Sequence, residues 1–150
     1  MSSTAQPPHG RNLRKGRTSL ADHAYLLTLV VTRRRPVFTD LAAARQAVRA
    51  LHAESVRRQA ATLAYVVKPD HVHWLLRLLP QGSLAEAARR YKALVSLARG
   101  EPMWQRGFHD HALRDDEDLR AVARYIVANP LRAGLVDDIG AYPHWDAIWL

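Results

Sequence analysis

The order of hydrophobic patterns along this chain of 150 residues predicts an α+β fold of the ferredoxin-like, split βαβ kind. It would be an antiparallel sheet with a helix added at the C-terminal end. Three observations carry that reading. Strand-like apolar runs alternate with helical periodicities in the order β-α-β-β-α-β-α. Lys68-Pro69-Asp70 leaves so short a turn between two of the runs that they must be antiparallel neighbours. The length, with 48% hydrophobic residues, suits one core and leaves no room for a second sizeable domain.

Residues 1–20 hold Pro7, Pro8, Gly10 and Gly16 among basic residues and offer little to bury, so they read as a flexible basic arm, with one folded domain over 21–150. Tyr25–Thr32 is rich in aliphatic and β-branched residues and ends at Arg33-Arg34-Arg35-Pro36, a buried strand followed by a basic turn. Asp40 is placed to cap a helix reaching about Arg58, with Leu41, Ala44, Val48, Leu51 and Val56 as its apolar face. Thr62–Val67 and His71–Leu79 form the hairpin. Ser83, with Glu86 three residues on, has the spacing of a capping box for a helix that Gly100 and Pro102 stop after Arg99. Met103–Arg114 reads as a loop leading to a short strand around His111–Arg114. Asp115 or Asp116 opens a last helix, which Asn129-Pro130 ends. Beyond it, an irregular tail anchored by Trp145 and Trp149 is expected.

The net charge is +8, and it is uneven. Residues 1–75 carry 12 Lys and Arg against 4 Asp and Glu, whereas residues 76–150 carry 10 of each. Nineteen of the 22 cations are arginine, whose planar fork suits phosphate. A polyanionic partner fits this balance, and so does plain arginine-rich composition. The absence of cysteine excludes disulfides, thiolate metal sites and a cysteine nucleophile. No apolar run approaches the ~20 residues that span a bilayer, and the first residues lack the apolar stretch of a secretory signal. A cytoplasmic protein without membrane contact is the expectation. A β/α barrel needs about 250 residues, and neither a serine nucleophile elbow nor a glycine-rich phosphate loop is present.

His71-Val72-His73 is the sharpest local signal. On a strand, residues i and i+2 share a face, so the two imidazoles project together. Such a pair suits one divalent metal with open positions for substrate, and it also suits two half-buried histidines that bind nothing. Tyr125 and Asn129 stand at i and i+4 of the last helix, hence on one face. Tyr125 is there either a core aromatic or a surface group, and Asn129 either a ligand or only the residue before Pro130. If the two pairs form one site, that helix must lie against the sheet. Tyr91, between Arg89-Arg90 and Lys92, competes for the role of nucleophile but reads better as a group stacked along nucleic acid. Trp104 and Arg106 make a plausible single-strand platform or an ordinary loop anchor. His109 and His111 repeat the i, i+2 spacing with nothing to strengthen it.

Together these pieces resemble the REP-associated tyrosine transposases, within the HUH class of single-strand DNA transposases. The resemblance lies in residues 66–76 (VVKPDHVHWLL), 104–111 (WQRGFHDH) and 125–136 (YIVANPLRAGLV), in that order, and extends from about Gly16 to the C-terminus. The family often has Met-Pro-Asn before the histidine pair, where this chain has Lys68-Pro69-Asp70. The resemblance implies a ferredoxin-like fold with a catalytic C-terminal helix and cleavage of single-stranded DNA beside hairpins of palindromic repeats. By it, His71 and His73 are the metal-binding pair, Tyr125 is the nucleophile that forms a 5′-phosphotyrosine, and Asn129 is a third ligand. The implied cofactor is Mg2+ or Mn2+, and the implied assembly is a monomer or homodimer. DNA contacts are expected from Arg14, Lys15, Arg17, Arg33, Arg34, Arg35, Arg89, Arg90, Lys92, Trp104 and Arg106. The alternative is a module of the same fold that binds hairpin DNA without cutting it.

Overall fold

The computed structural model describes residues 23–114, 119–127 and 145–147. One antiparallel sheet holds β1 (Ala24–Val30), β2 (Ala60–Lys68), β3 (His71–Leu78), β4 (His109–Ala112) and β5 (Trp145–Ala147), in the order β4-β1-β3-β2-β5. The first four strands have the expected split βαβ arrangement. A crossover through α1 (Leu41–Leu51) and the single turn α2 (Glu54–Arg57) returns β2 alongside but not beside β1, and β3 folds back into the gap. The helix α3 (Leu84–Arg99) carries the chain from β3 to β4.

Strand alternation divides the core in two. Tyr25, Leu27, Leu29, Val72, Trp74, Leu76 and Leu78 point to one face of the sheet, where they pack with α1 and α3. Ala24, Ala64, Val66 and Leu75 point to the other, where Ala123 and Ile126 of α4 (Leu119–Val127) cover them. Four alanines of α1 (Ala43, Ala44, Ala47 and Ala50) are buried, and their small size lets α3 come close enough for the Tyr91 hydroxyl to donate to the Ala47 carbonyl at 3.0 Å. The buried Trp74 indole donates to Thr62 Oγ1 at 2.9 Å, so the largest core side chain leaves no polar atom unpaired.

Several local features differ from expectation. The helix expected over residues 41–58 is two. His52 ends α1, and Ala53 is extended (φ −66°, ψ 143°), because the chain must turn to enter β2 with Val56 buried. Ala44, Leu51 and Val56 are buried as expected and Val48 packs against the core, but the buried face extends to Ala43, Ala47 and Ala50 while Leu41 is 48% exposed. Alanines count weakly in a hydrophobic pattern, yet they are what a close helix contact selects. Ser83 Oγ does accept from the Glu86 N–H at 3.1 Å. The reciprocal half of the capping box is absent: Ser83 N–H donates to Gln59 Oε1, and the Glu86 carboxylate holds Arg89 and Arg90. The fourth strand begins at His109 rather than near His111, and Trp145–Ala147 is a strand on β2 rather than part of an irregular tail. The start of the last helix at Asp115 or Asp116, its end at Asn129-Pro130, the basic arm and Trp149 lie outside the described residues.

Gly82 is required by close approach. A Cβ there would lie 1.9 Å from the backbone oxygen of Gln59, itself bonded to the Leu79 N–H. Gly82→Ala is therefore expected to lower the unfolding free energy by about 3 kcal/mol, read from the urea midpoint.

Candidate active site

The pair His71-His73 sits at the start of β3, on the sheet face that α4 covers. Its neighbours follow from register: Val30 and Lys68 flank His71, and Thr28 and Val66 flank His73. The two Nε2 atoms meet at 3.2 Å, with the rings edge to face. Each Nδ1 has its own partner. That of His71 lies 2.6 Å from Asp70 Oδ1, and that of His73 lies 3.1 Å from Thr28 Oγ1. An ionised carboxylate only accepts, so His71 must carry its proton on Nδ1, and its Nε2 lone pair is bare. His73 can then donate its Nε2–H to that lone pair while the Thr28 hydroxyl donates to its Nδ1. Because a hydroxyl both donates and accepts, His73 can also hold its proton on Nδ1 and bare its own Nε2.

Burial is the main reason both imidazoles resist protonation. It pushes His71 below the ordinary histidine range against the pull of Asp70. It brings His73 down to about 4, helped by the nearby charges of His71 and Lys68. For Asp70 burial alone would raise the carboxyl, but the bonds from His71 and Arg34 outweigh it and hold the group below its usual range. Lys68 is half-buried beside them, lowered by burial and partly restored by Asp70.

Two neutral imidazoles with converging Nε2 atoms, that of His71 bare and that of His73 bared in its Nδ1–H tautomer, are a donor set for a divalent cation. At bonds of about 2.1 Å, donors 3.2 Å apart subtend about 100° at a shared ion, which an open coordination sphere accepts. Among the described residues no further His, Cys, Asp or Glu completes a group of three, so remaining positions would fall to water, substrate or an amide. Asn129 lies outside the described residues.

Without metal, this neutral pair makes stability depend on pH. The unfolded chain protonates a histidine near pH 6.5, whereas folded His73 holds out to about 4, so stability falls as pH drops through that window. In a chelator, urea melts at pH 7.5 and 4.5 should show wild type losing about 2–3 kcal/mol more than His73→Gln.

Tyr125 shares this side of the sheet. Leu119, Val122, Ala123 and Ile126 recur at helical spacing and dock α4 over β2, in the same cluster as Val66, the cross-strand neighbour of His73. Tyr125 is one residue before Ile126, about 100° round the helix, and is 56% exposed. It is thus a surface tyrosine and not a core aromatic. Tyr91 is the opposite case: it is fully buried on the far side, its phenol pushed up by burial and bonded to Ala47. It can neither attack nor stack on nucleic acid.

The basic candidates divide by position. Arg33, Arg34 and Arg35 lie in the turn after β1. Val31 N–H and Phe38 N–H tie that segment to the carbonyls of Asp70 and Pro69, beside the imidazole pair. Arg106 is exposed on the loop that Gln105 N–H bonds to Val30, at the same end of the sheet. Arg89, Arg90 and Lys92 belong to α3, on the opposite face of the sheet, and have internal partners. Glu86 holds both arginines, Arg90 also reaches the Ser55 carbonyl, and Lys92 clamps the carbonyls of Gln105 and Gly107. Trp104 anchors that loop: its indole donates to the Lys92 carbonyl and packs near Phe38 and Tyr91. Arg14, Lys15 and Arg17 lie outside the described residues. Register puts His109 opposite Thr28 and His111 opposite Leu26, on the sheet face of the imidazole pair but two positions from β3, with β1 between.

Residues 19–129 match the family described as "Transposase IS200 like". The chain belongs to that family. REP-associated tyrosine transposase of Escherichia coli (strain K12) is 34% identical over 83 residues, covering 53% of this chain and 50% of that protein. A Haemophilus influenzae protein provisionally given the same name is 29% identical over 100 residues, covering 55% and 56%. The chain spans about half the length of these relatives in the matched regions. Among solved structures, a REP-associated tyrosine transposase bound to a REP hairpin superposes with a TM-score of 0.71 at 25% identity, over 86% of this chain and 79% of that one. A Deinococcus radiodurans protein classed as a transposase shares the fold, with a TM-score of 0.50 at 20% identity over 76% and 95%. Among the described residues, no helix of this IS200-like chain is long and apolar enough to cross a membrane.

Asp70, Thr28 and Lys68 were not singled out as site residues by sequence. Their only signal was position: Asp70 precedes the pair, and Thr28 and Lys68 become its neighbours through strand register alone.

Proposed function

We propose that this chain cleaves and rejoins single-stranded DNA beside a hairpin, with Tyr125 as nucleophile and His71 and His73, joined by Asn129, holding Mg2+ or Mn2+. The observation that carries the reading is the convergence of the two imidazole Nε2 atoms on the sheet face against which the Tyr125 helix docks. A divalent cation there would polarise the scissile phosphate and offset charge as it develops. The residues supply the rest. The Tyr125 phenol loses its proton and its oxygen bonds to phosphorus. The bond from phosphorus to the 3′-oxygen breaks, leaving a 3′-OH and a 5′-phosphotyrosine. A phosphate ester replaces a phosphate ester, so a DNA 3′-OH can reverse the step without ATP. Lys68 adds positive charge beside the pair, and Arg33, Arg35 and Arg106 suit the incoming backbone at the same end of the sheet. The hairpin as partner is taken from the solved relative, and 19 arginines among 22 cations are consistent with it.

The test is a denaturing gel of the protein with 3′-end-labelled single-stranded DNA carrying a hairpin, with Mg2+ or Mn2+, the label lying on the fragment that a 5′-phosphotyrosine retains. A labelled band that stays on the protein after boiling in detergent supports tyrosine transfer. Free cleaved product with no adduct makes the chain a hydrolytic nuclease. Retarded but uncut DNA in a native gel makes it a binding module.

A further inference from the structure

The imidazole pair is held very unequally, and the difference lies in Asp70. Its Oδ1 is 2.6 Å from His71 Nδ1, and its Oδ2 accepts from Arg34 Nη1 at 3.2 Å. The backbone of Asp70 is tied as well, its carbonyl accepting from Val31 N–H at 2.9 Å. Arg34 reaches the carboxylate from an unusual backbone. Arg33 and Arg34 are consecutive non-glycine residues with φ of 57° and 51°, the only such positions among the described residues. A left-handed conformation costs a side-chain-bearing residue of order 1–2 kcal/mol, so a pair of them persists only where the surroundings enforce it. Here the surroundings are the hairpin turn that presents the imidazoles: Val31 and Phe38 bond to Asp70 and Pro69 on either side of the strained arginines. By contrast, His73 has only a hydroxyl, which accommodates either tautomer.

We infer that Asp70, steadied by Arg34, is the positioning residue of the site: it locks His71 as the Nδ1–H tautomer, so that one bare Nε2 always faces His73 while His73 adapts through Thr28. The inference rests on the proposed metal site. A carboxylate behind a ligand histidine orients the ring and raises the basicity of the ligating nitrogen, and losing such a partner lowers metal affinity 10–100-fold. It also explains a short surface ion pair that stability does not need, since exposed pairs like Arg34–Asp70 contribute little to folding.

Two readouts on the full chain test it. Long-range 15N–1H spectra of the metal-free protein report the tautomer of each imidazole. Mn2+ titration followed by the electron paramagnetic resonance of the free ion reports affinity. Asp70→Ala should turn His71 into a mixture of tautomers and weaken Mn2+ binding 10–100-fold. Asp70→Asn keeps an acceptor oxygen without the charge and should restore much of the tautomer preference but only part of the affinity. Arg34→Ala should weaken binding a few-fold. A merely structural role for Asp70 would leave the His71 signals of folded protein unchanged, and that result overturns the inference. So does wild-type Mn2+ affinity in folded Asp70→Ala. If wild type itself binds no Mn2+, the metal reading fails, and the tautomer spectra of Asp70→Ala alone decide whether Asp70 orients His71.

Discussion

Tyr125→Phe is expected to abolish the covalent protein–DNA adduct, with cleavage falling on the order of 10⁴-fold or more, because it removes the proposed nucleophilic oxygen. Folding should be almost untouched. The ring is 56% exposed, and α4 docks through Ala123 and Ile126 rather than through the phenol, so removal of one hydroxyl costs less than about 0.5 kcal/mol. Hairpin DNA binding should likewise stay within about twofold. The comparison that makes this decisive is Tyr91→Phe. That variant loses the buried bond to Ala47 and should be less stable by about 1 kcal/mol, yet it should still form adduct. Adduct that survives Tyr125→Phe means that the nucleophile is another residue.

The second large effect is expected at the imidazole pair. His71→Ala or His73→Ala leaves one imidazole of the two proposed ligands, and each should reduce cleavage by about 10³-fold or more while DNA binding is retained. Raising Mn2+ should rescue the single variants weakly and the double variant not at all. Mn2+ should support wild-type cleavage at lower concentration than Mg2+, since imidazole nitrogen suits it better. Cleavage by the double variant at the wild-type rate would show that the pair takes no part in the reaction. Full-length denaturation curves separate these losses from unfolding. In metal-free buffer at neutral pH the variants remove partly buried neutral rings, not charges, and should remain folded.

Much of the architecture is legible along the chain because it depends on local chemistry. Pro69-Asp70 can only be a turn between two apolar runs, so the β2–β3 hairpin follows without knowledge of its surroundings. Asp40 and Ser83 cap their helices through bonds to residues two and three positions on, Ala42 and Glu86. Gly100 ends α3 with φ 76°, as a left-handed stop should. The face of α1 was less legible because its packing uses alanines, which carry little hydrophobic signal but permit close approach of α3. Its break at His52-Ala53 has no proline or glycine to announce it. Strand β5 is short, and three residues acquire strand character only by pairing with β2.

The same division runs through the site. Sequence by itself determined that His71 and His73 share a face, that the chain has no thiol for metal or nucleophile, and that the family blocks occur in order. These are properties of strand period, composition and spacing. Only the tertiary structure decided which tyrosine is available, since burial separates Tyr91 from Tyr125 while both sit among basic or polar neighbours in the chain. It also decided that Arg34, Asp70, His71, His73 and Thr28 form one connected line, and that Arg89, Arg90 and Lys92 stand across the sheet with partners of their own. The physical reason is register. Thr28 is 45 residues from His73, and Arg34 is 36 from Asp70. Contacts at such separations exist only once β1 has paired with β3 and the left-handed turn after it has closed on the hairpin.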